Sequence, residues 1–407
     1  MKASLPIILW LIQACDVPVI RPEAVGLGDL SDAACPRGLA IAATDYKSTN
    51  IGAIDLSGNV LSPSLISSAS HSVGLTSALS GDVGFPSTRA SGNELVVLDR
   101  SLASVITWVN IETATVRAQL SVATGFNANP HDYVSIAPNK AYVTRFGSNS
   151  NAGREPYDEG HDILVLDPSI PAIKGRIDAA SGLPPYAGYN PSPDCARLAG
   201  DRLYVVVPYY DSAYHAGPSY VIAIDPATDA PVDQILLAGL SGCSGLDISP
   251  DQTSIAIACS GRWQGSSSAD ASASALVGLR IRPQMEEIWR IPASRSTKRA
   301  FGFALGFVDS THVIASQLGE FGPPLINDTV YLIDTNTSAS TPVLQSANVP
   351  FTLSVGPCDA DCGVCFLVDT QRVGIFEFTL SQSNSFSLTE YPWNDPTGLP
   401  PRLLGFF

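Results

Sequence analysis

Short apolar runs recur along the whole chain, and polar turn residues separate them. The runs are rich in Val, Ile and Tyr, and Gly, Pro, Asp and Asn bound them. Such runs are typical of β-strands, whereas amphipathic helices need apolar residues at a 3.6-residue period over longer windows. The pattern therefore predicts an all-β protein.

The runs follow a repeated order that is clearest in two neighbouring segments. Residues 129–177 contain NPHDYVSIAPNKAYVTRFGSN, a polar loop and DILVLDPSIPAIKGRI, and residues 191–236 contain PSPDCARLAGDRLYVVVPYY, a polar loop and SYVIAIDPATDAPVDQIL. Each unit predicts an inner strand, a tight turn such as APNK, a second strand, a loop, a third strand that ends in Asp-Pro or Asp-Thr, and a short fourth strand. Seven such units of roughly fifty residues follow one another.

Four-stranded units at this period are typical of a β-propeller, in which each sheet buries both faces against its neighbours. We predict a seven-bladed β-propeller of four-stranded antiparallel blades. Six or eight blades are the alternatives, because the first and last units are the least regular. The expected organisation is a signal peptide at 1–14, a tether and entry strand at 15–34, the propeller at 35–401 and a C-terminal tail at 402–407.

The first residues, MKASLPIILWLIQACDVP, contain one basic residue and an apolar stretch from Leu5 to Ile12. This segment resembles a short lipoprotein signal peptide, although Gln13 stands where such peptides usually have a small residue or Thr. The resemblance implies that Cys15 is lipidated and becomes the first residue of the mature chain; ordinary secretion is the alternative. No other stretch approaches the ~18 to 20 apolar residues that cross a bilayer. We therefore expect attachment to the cell envelope through lipid alone, at the outer membrane or cell surface, or a periplasmic or secreted protein without the lipid.

The charge of the chain narrows the class of partner. The formal net charge is -15, and no cluster of Lys and Arg occurs. Nucleic-acid binding needs such clusters to neutralise phosphates, so the sequence argues against a nucleic-acid partner. We expect a monomer without a cofactor whose partner is a small molecule, a glycan or another protein.

The strings AYVTRFGSN and YVIAIDPATDAPVDQIL resemble the repeats of YVTN-type propellers, which run "YVTN, short turn, V-x-V-I-D, T-x-T". The resemblance covers most of residues 35–380 and is sharpest in the third and fourth units. With its lipobox, the chain also resembles propeller lipoproteins of δ-proteobacterial and myxobacterial cell envelopes, most of which have no assigned activity. The resemblance implies a fold and a location, and it implies little about function.

Eight cysteines in an exported protein favour disulfides. Cys243 and Cys259 lie equally far from a three-residue loop at 250–252, so we predict that they face each other across a hairpin. Cys358 and Cys365 flank a two-residue turn in the same way, which predicts a second bridge.

Other pairings remain open for the same cysteines. Cys358 could instead pair with Cys362, or Cys362 could pair with Cys35 and close the ring, because Cys35 and Cys362 are expected at inner turns of the first and last units. The C-x3-C-x2-C run is also compatible with metal ligands, but an oxidising envelope and the lack of a nearby fourth ligand disfavour that interpretation. With Cys15 lipidated, Cys195 is the simplest candidate for an unpaired thiol.

Asp132 and Asp194 occupy the same place in two neighbouring repeats, just before an inner strand; His131 precedes the first and Pro193 the second. If His131, Asp132 and Asp194 converge at the mouth of the central channel, they could bind a metal or a substrate, as the likeness to lactonase-like propellers implies. The alternative is that they cap local backbone groups. No H-E-x-x-H, G-x-S-x-G or P-loop motif is present, and we assign no catalytic residue and no metal ligand.

The loops between second and third strands are predicted to be long in units three to six and nearly absent in the others. Long loops in a compact fold are uncommon unless they are functional or mobile. These loops carry Tyr, Trp and Arg, which often supply binding energy at interfaces, although packing onto the rim is the alternative. From the channel and the loops together, the candidate ligand-binding residues are His131, Asp132, Arg145, Asp194, Tyr209, Tyr210, Arg262 and Trp263.

Three functions compete. The first, which we favour, is a binding or scaffold module that uses the long-loop face. The second is a lactonase-like hydrolase that uses His131, Asp132 and Asp194 with a divalent metal. The third is a purely structural surface protein, which predicts no ligand pocket.

Overall fold

The computed structural model describes residues 23–28, 34–70, 74–262, 268–293, 299–381, 383 and 385–407. The predicted signal peptide, Cys15 and Trp263 lie outside the described residues. The described chain forms seven antiparallel sheets, one per blade, and so confirms the seven-bladed propeller. Six sheets have four strands; the fourth has five because its inner strand is divided in two.

The strands are numbered in chain order. Blade 1 contains β1 (Gly38–Thr44), β2 (Thr49–Asp55) and β3 (Val60–Ser67). Blade 2 contains β4 (Val83–Gly84), β5 (Glu94–Asp99), β6 (Val105–Asn110) and β7 (Thr115–Ser121). Blade 3 contains β8 (Pro130–Ala137), β9 (Lys140–Ser148), β10 (Gly160–Asp167) and β11 (Ala172–Asp178). Blade 4 contains β12 (Tyr189–Pro191), β13 (Ala196–Ala199), β14 (Arg202–Asp211), β15 (Ala216–Asp225) and β16 (Ala230–Ser241).

Blade 5 contains β17 (Cys243–Ile248), β18 (Ser254–Ser260), β19 (Ser274–Arg280) and β20 (Glu286–Pro292), with a short 3-10 helix at Ser268–Ala273. Blade 6 contains β21 (Phe301–Phe307), β22 (His312–Gln317), β23 (Thr329–Asp334) and β24 (Ser340–Gln345). Blade 7 contains β25 (Leu353–Asp359), β26 (Val364–Asp369), β27 (Gly374–Leu380) and β28 (Phe386–Pro392). The last strand, β29 (Pro401–Phe406), returns to blade 1.

Strand β29 closes the ring. It lies innermost in blade 1 and pairs with β1, so that Leu39 is opposite Phe406 and Ile41 is opposite Leu404. Residues 402–407, which we expected to form a tail outside the propeller, are therefore part of the first sheet or packed against it. The inner strand of the first unit comes from the other end of the chain.

The burial of each strand follows from its place in the blade. All seven residues of β1 are buried, as is nearly all of β5, because neighbouring blades cover both faces of these strands. The outer strand β16 instead alternates between exposed and partly buried residues over most of its length. The core therefore lies between blades, where for example Trp108 of blade 2 meets Tyr133 of blade 3 edge to face at 6.1 Å.

The Asp residues that end the third strands form the expected turns. The Oδ1 atom of Asp167 accepts a hydrogen bond from the Ser169 N–H at 3.0 Å. Asp225 and Asp334 likewise accept a hydrogen bond from the N–H group two residues further along the chain, each at 2.8 Å. A short acceptor at the start of a turn replaces a backbone bond that the strand can no longer make, which explains the recurrence of Asp at this place.

Three disulfides join the described cysteines. The Cys243–Cys259 and Cys358–Cys365 bridges are confirmed, and Cys35–Cys362 links the segment before β1 to the first turn of blade 7. The alternative Cys358–Cys362 pairing and the metal interpretation of this run are therefore wrong. Among the described cysteines only Cys195 is a free thiol. No helix within the described ranges is long and apolar enough to span a bilayer.

Candidate functional site

The connections between second and third strands differ around the ring, as predicted. They are long in blades 3, 5 and 6 and short in blades 1, 2 and 7; the long ones are 149–159, 261–273 and 318–328, and the short ones are 45–48, 100–104 and 370–373. Blade 4 differs from the expectation, because strands β14 and β15 extend into the region expected to be loop and leave only 212–215 as a turn.

Asp211 fixes the tip of this hairpin. Its Oδ1 accepts hydrogen bonds from the N–H groups of Ala213 at 2.8 Å and His215 at 2.9 Å. Its Oδ2 lies 2.8 Å from Nδ1 of the His215 ring. One carboxylate thus holds both the turn and the imidazole, and the His215 Nε2 atom lies outside this pair.

Beside the hairpin lies a cleft of about 510 Å³. The connection between blades 3 and 4 forms one side, the start of β15 forms another, and Arg262 of blade 5 completes it; the lining residues are Tyr186, Ala187, Tyr189, His215, Ala216, Gly217, Pro218 and Arg262. Clefts of a few hundred Å³ with aromatic walls and a few polar groups are typical of small-ligand sites. Arg262 was predicted to bind ligand, whereas Tyr186 and Tyr189 were not.

A cluster of buried tyrosines holds the Tyr186 wall. The Tyr186 hydroxyl lies 2.7 Å from that of Tyr220, and its ring meets Tyr209 edge to face at 5.1 Å. Tyr209, a predicted ligand residue, is only 2 % exposed, and its hydroxyl donates to the Pro184 carbonyl at 3.1 Å. Burial raises the pKa of Tyr209 to about 12, so this hydroxyl keeps its proton at neutral pH. Tyr209 therefore supports the cleft from beneath.

Gly217 allows Tyr189 to lie against the hairpin. A Cβ atom at Gly217 would come within 2.7 Å of Cδ1 of the Tyr189 ring, closer than real Cβ contacts allow. The ring would have to move for any larger residue to fit. The glycine in the segment HAGPS is thus the sequence feature that places this aromatic wall.

A second polar group lies at the start of the inner strands, where we expected the channel mouth. Nδ1 of His131 lies 2.9 Å from Oδ1 of Asp194, and both side chains are less than one fifth exposed. The His131 ring stacks on Phe146 with centroids 4.3 Å apart, and Phe146 in turn contacts Tyr210 at 5.2 Å. Burial, together with the charge of Asp194, raises the pKa of Tyr210. The structure thus brings together His131, Asp194 and Tyr210 of the predicted residues.

Asp132 does not join this group. Its carboxylate is 2 % exposed and accepts hydrogen bonds from the Ser87 N–H at 2.9 Å, the Ser87 hydroxyl and the Ala196 N–H at 2.8 Å. Ser87 follows β4 of blade 2 and Ala196 begins β13 of blade 4, so Asp132 ties three consecutive blades together. The alternative that it caps local backbone groups is met only by the Tyr133 N–H, at 2.8 Å, because its other backbone partners belong to blades 2 and 4.

Arg145 is likewise enclosed. Its guanidinium donates to both carboxylate oxygens of Asp162 at 2.6 Å, and to the carbonyls of Tyr157 at 2.6 Å and Val122 at 3.1 Å. Arg145 is 0 % exposed. A bidentate pair of this kind is strong and directional, and here it anchors the long loop of blade 3 to its own sheet.

Sequence reasoning missed Arg197, on the inner strand β13. Nη1 lies 3.8 Å from Oδ2 of Asp132, and Nε lies 3.5 Å from Oδ1 of Asp247. Although burial opposes its charge, Cys195 and Asp247 raise the pKa of Arg197, so the guanidinium remains charged. Burial raises the pKa of the Cys195 thiol to about 12, which keeps that thiol protonated. An Arg between apolar residues in a short inner strand, as in ARLA, was the available signal.

The metal-dependent hydrolase needed three polar groups in one place. The structure unites His131 with Asp194 and directs Asp132 elsewhere. In the part of the chain that the structure describes, no group of three or more His, Cys, Asp or Glu side chains is placed to hold a metal ion.

Solved structures with this architecture come from distant proteins. A protein from Lactobacillus plantarum matches 92 % of this chain and 100 % of its own length, with a TM-score of 0.57 and 13 % identity. Hydrazine synthase of Kuenenia stuttgartiensis matches 82 % of this chain and 92 % of its own, with a TM-score of 0.55 and 11 % identity. A candidate 6-phosphogluconolactonase from Bacteroides fragilis matches 93 % and 100 %, with a TM-score of 0.55 and 11 % identity.

These likenesses show the fold alone. Comparison with protein-family profiles gives no match, and neither does comparison with curated protein sequences. Because propellers of one architecture host many unrelated functions, the function has to be argued from the site.

Proposed function

We propose that this protein is an envelope-anchored propeller lipoprotein of the YVTN type that binds a ligand through its long-loop face. The observation that carries the proposal is the cleft of about 510 Å³ between the blade 3–4 connection, the extended blade 4 hairpin and Arg262. Aromatic walls that are already packed in place lose little conformational entropy when a ligand binds.

The proposed location in the cell envelope rests on the sequence. The stretch IILWLIQAC offers Cys15 as the lipid acceptor, and the repeats AYVTRFGSN and YVIAIDPATDAPVDQIL are similar to those of YVTN propellers. The disulfides support an oxidising compartment, since structural disulfides persist outside the cytosol. Metabolic labelling with a fatty acid tests the anchor: label should enter the protein and be absent from the Cys15→Ala variant.

A thermal-shift screen of the full-length protein in detergent, with glycans, small metabolites and peptides, tests the binding role. A ligand at about 100 times its Kd should add roughly 2.7 kcal/mol to the free energy of unfolding. We expect Tyr189→Ala to abolish the shift, because it removes one wall of the cleft. The matched control is Tyr214→Ala, which removes a 72 % exposed tyrosine from the same hairpin without touching the cleft.

The two variants separate the possible results. If Tyr189→Ala alone removes the shift, the cleft is the binding site. If both variants keep the full shift, the ligand binds elsewhere and the proposal fails.

A hydrolase at the channel mouth is the second candidate, and the His131–Asp194 pair favours it. A carboxylate that occupies one imidazole nitrogen leaves the other to take a proton from an attacking water. Lactone hydrolysis should then be lost in His131→Gln and retained in His215→Gln, the matched variant of the His–Asp pair on the hairpin. Equal activity of the two variants, or no turnover by the unmodified protein, would exclude this candidate for lactones.

A further inference from the structure

Among the side chains that the structure describes, the cleft on the long-loop face is lined by basic groups and by no acidic ones. The chain carries 38 Asp and Glu against 23 Lys and Arg, yet none of the eight residues that line the cleft is Asp or Glu. Arg262 and His215 both line it. A cleft that departs in this way from the charge of the whole protein favours a ligand with a negative group.

Arg262 is exposed and makes no ion pair with any side chain that the structure describes. Its planar fork of N–H donors matches a carboxylate better than any other side chain can. Arg145, by contrast, already donates its guanidinium N–H groups to both carboxylate oxygens of Asp162. Of these two, only Arg262 can offer its donors to a ligand.

His215 adds an oriented hydrogen-bonding group. Its Nδ1 atom is occupied by Asp211, and the carboxylate of Asp211 is shared with two turn N–H groups. Asp211 itself does not line the cleft. The imidazole can therefore contact a ligand through Nε2 while its acidic partner stays behind it.

Tyr186 and Tyr189 define the remaining shape. Tyr189 lies against Gly217, and Tyr186 is held by Tyr209 and Tyr220, so both rings have fixed positions. A tyrosine ring combines an apolar face with a polar edge, which suits a ligand ring that has C–H faces and hydroxyls at its rim. Pyranose rings have this character.

Building on the proposed function, we propose that the cleft binds a saccharide that carries a carboxylate, such as a hexuronate. The carboxylate pairs with Arg262, the sugar ring packs on Tyr189, and His215 contacts a hydroxyl. The cleft volume of about 510 Å³ is in the range that accommodates small organic ligands.

The test is calorimetric titration of the full-length protein in detergent with trigalacturonate and, as the neutral counterpart, galactotriose. One charge-assisted contact predicts about tenfold tighter binding of the acidic sugar. Raising the salt concentration should narrow the difference, because the charges are partly exposed. Arg262→Gln should bring the two affinities together, and Tyr189→Ala should weaken both.

Arg154→Gln is the matched control, since Arg154 is an exposed arginine of the blade 3 loop outside the cleft. If Arg154→Gln reduces binding as much as Arg262→Gln, the attraction is a general charge effect and the inference fails. Equal affinity for the two sugars, or equal affinity for a short polyglutamate, also overturns it while leaving cleft binding intact. If neither sugar binds although another ligand shifts the melting temperature through Tyr189, the proposed function stands and the saccharide does not.

Discussion

One side of the ring contains the links that close it, and the other contains the long loops and the cleft. Blades 1, 2 and 7 contain the junction of the two chain ends, the Cys35–Cys362 bridge and short connections. Blades 3 to 6 contain the long connections, the extended hairpin and the cleft. We call these the closing side and the loop side.

The comparison separates stability from recognition. On the closing side, polar and covalent links join segments far apart in sequence, so each link restrains the whole ring. On the loop side, the residues that line the cleft are exposed or half-buried apart from Ala216 and Gly217, and their contacts join neighbouring segments of blades 3 to 5. Variants on the closing side should therefore change the free energy of unfolding, and variants in the cleft should change binding.

The largest expected effect comes from the ring-closing disulfide. The bridge spans 327 residues, against 16 for Cys243–Cys259. In the chain-entropy account, replacing Cys35 and Cys362 by Ala costs about 6 kcal/mol, roughly 2–3 kcal/mol more than the same replacement of the short bridge. Denaturant unfolding of both double variants measures the difference; similar midpoints would mean that the unfolded chain is not restrained as expected.

The next largest loss of stability is expected when the aromatic ring of Phe407 is removed. Phe407 is 2 % exposed and packs in the core between blades 1 and 2. Phe407→Ala should cost about 3–5 kcal/mol, the usual penalty for an emptied aromatic site. On the loop side, Phe321 is 54 % exposed, and Phe321→Ala should change stability by less than about 1 kcal/mol. Equal melting temperatures for the two variants would contradict the division of the ring.

A third, smaller difference in stability is expected within the loop side, between Asp132, which joins three blades, and Asp194, which pairs with His131. Asp132→Asn replaces one acceptor oxygen by an NH2 donor that faces the N–H of Ser87 or Ala196, in two other blades, and should cost about 2 kcal/mol. Asp194→Asn keeps an acceptor for His131 at a partly exposed place and should cost less than about 1 kcal/mol. Thermal unfolding of the pair checks this, and a larger loss for Asp194→Asn would overturn it.

The sequence predicted the architecture because the strand pattern recurs seven times, and each recurrence supports the others. It did not predict the closing strand, since PRLLGF is one isolated run after a Pro-rich segment. Only the geometry of a closed ring shows that blade 1 needs a fourth strand. Regular repeats are easy to recognise in a sequence, whereas the ring is closed by the irregular first unit.

The site was predicted less well for two physical reasons. We considered the connections within blades, whereas Tyr186 lies on the connection between blades 3 and 4 and Tyr189 begins β12, the strand that follows it. Alignment also made Asp132 and Asp194 equivalent. Blade 4 breaks its inner strand between β12 and β13, and Asp194 lies in that break, so its side chain has different partners.

The smallest expected effect is a pH-dependent change that is confined to the blade 3 loop. The carboxylate of Asp158 accepts hydrogen bonds from the N–H groups of Gly153, Arg154 and Glu155, and these bonds lower the pKa of Asp158. A lowered pKa means that the contribution is present above the usual Asp range and is lost as pH falls through the lowered value. At Asp99 of blade 2 the sign is reversed, because burial raises the pKa of that carboxyl.

NMR titration of the three amides that Asp158 holds measures this effect. We expect their shifts to change together, with a midpoint below the usual Asp range, while the Ser80 amide, which donates to Asp99, changes at higher pH. Asp158→Asn should remove the titration; its carbonyl oxygen can accept from the Arg154 and Glu155 amides, while the Gly153 amide loses its acceptor. A midpoint within the usual range would show that the three bonds do not favour the charged form of Asp158 and would contradict the prediction.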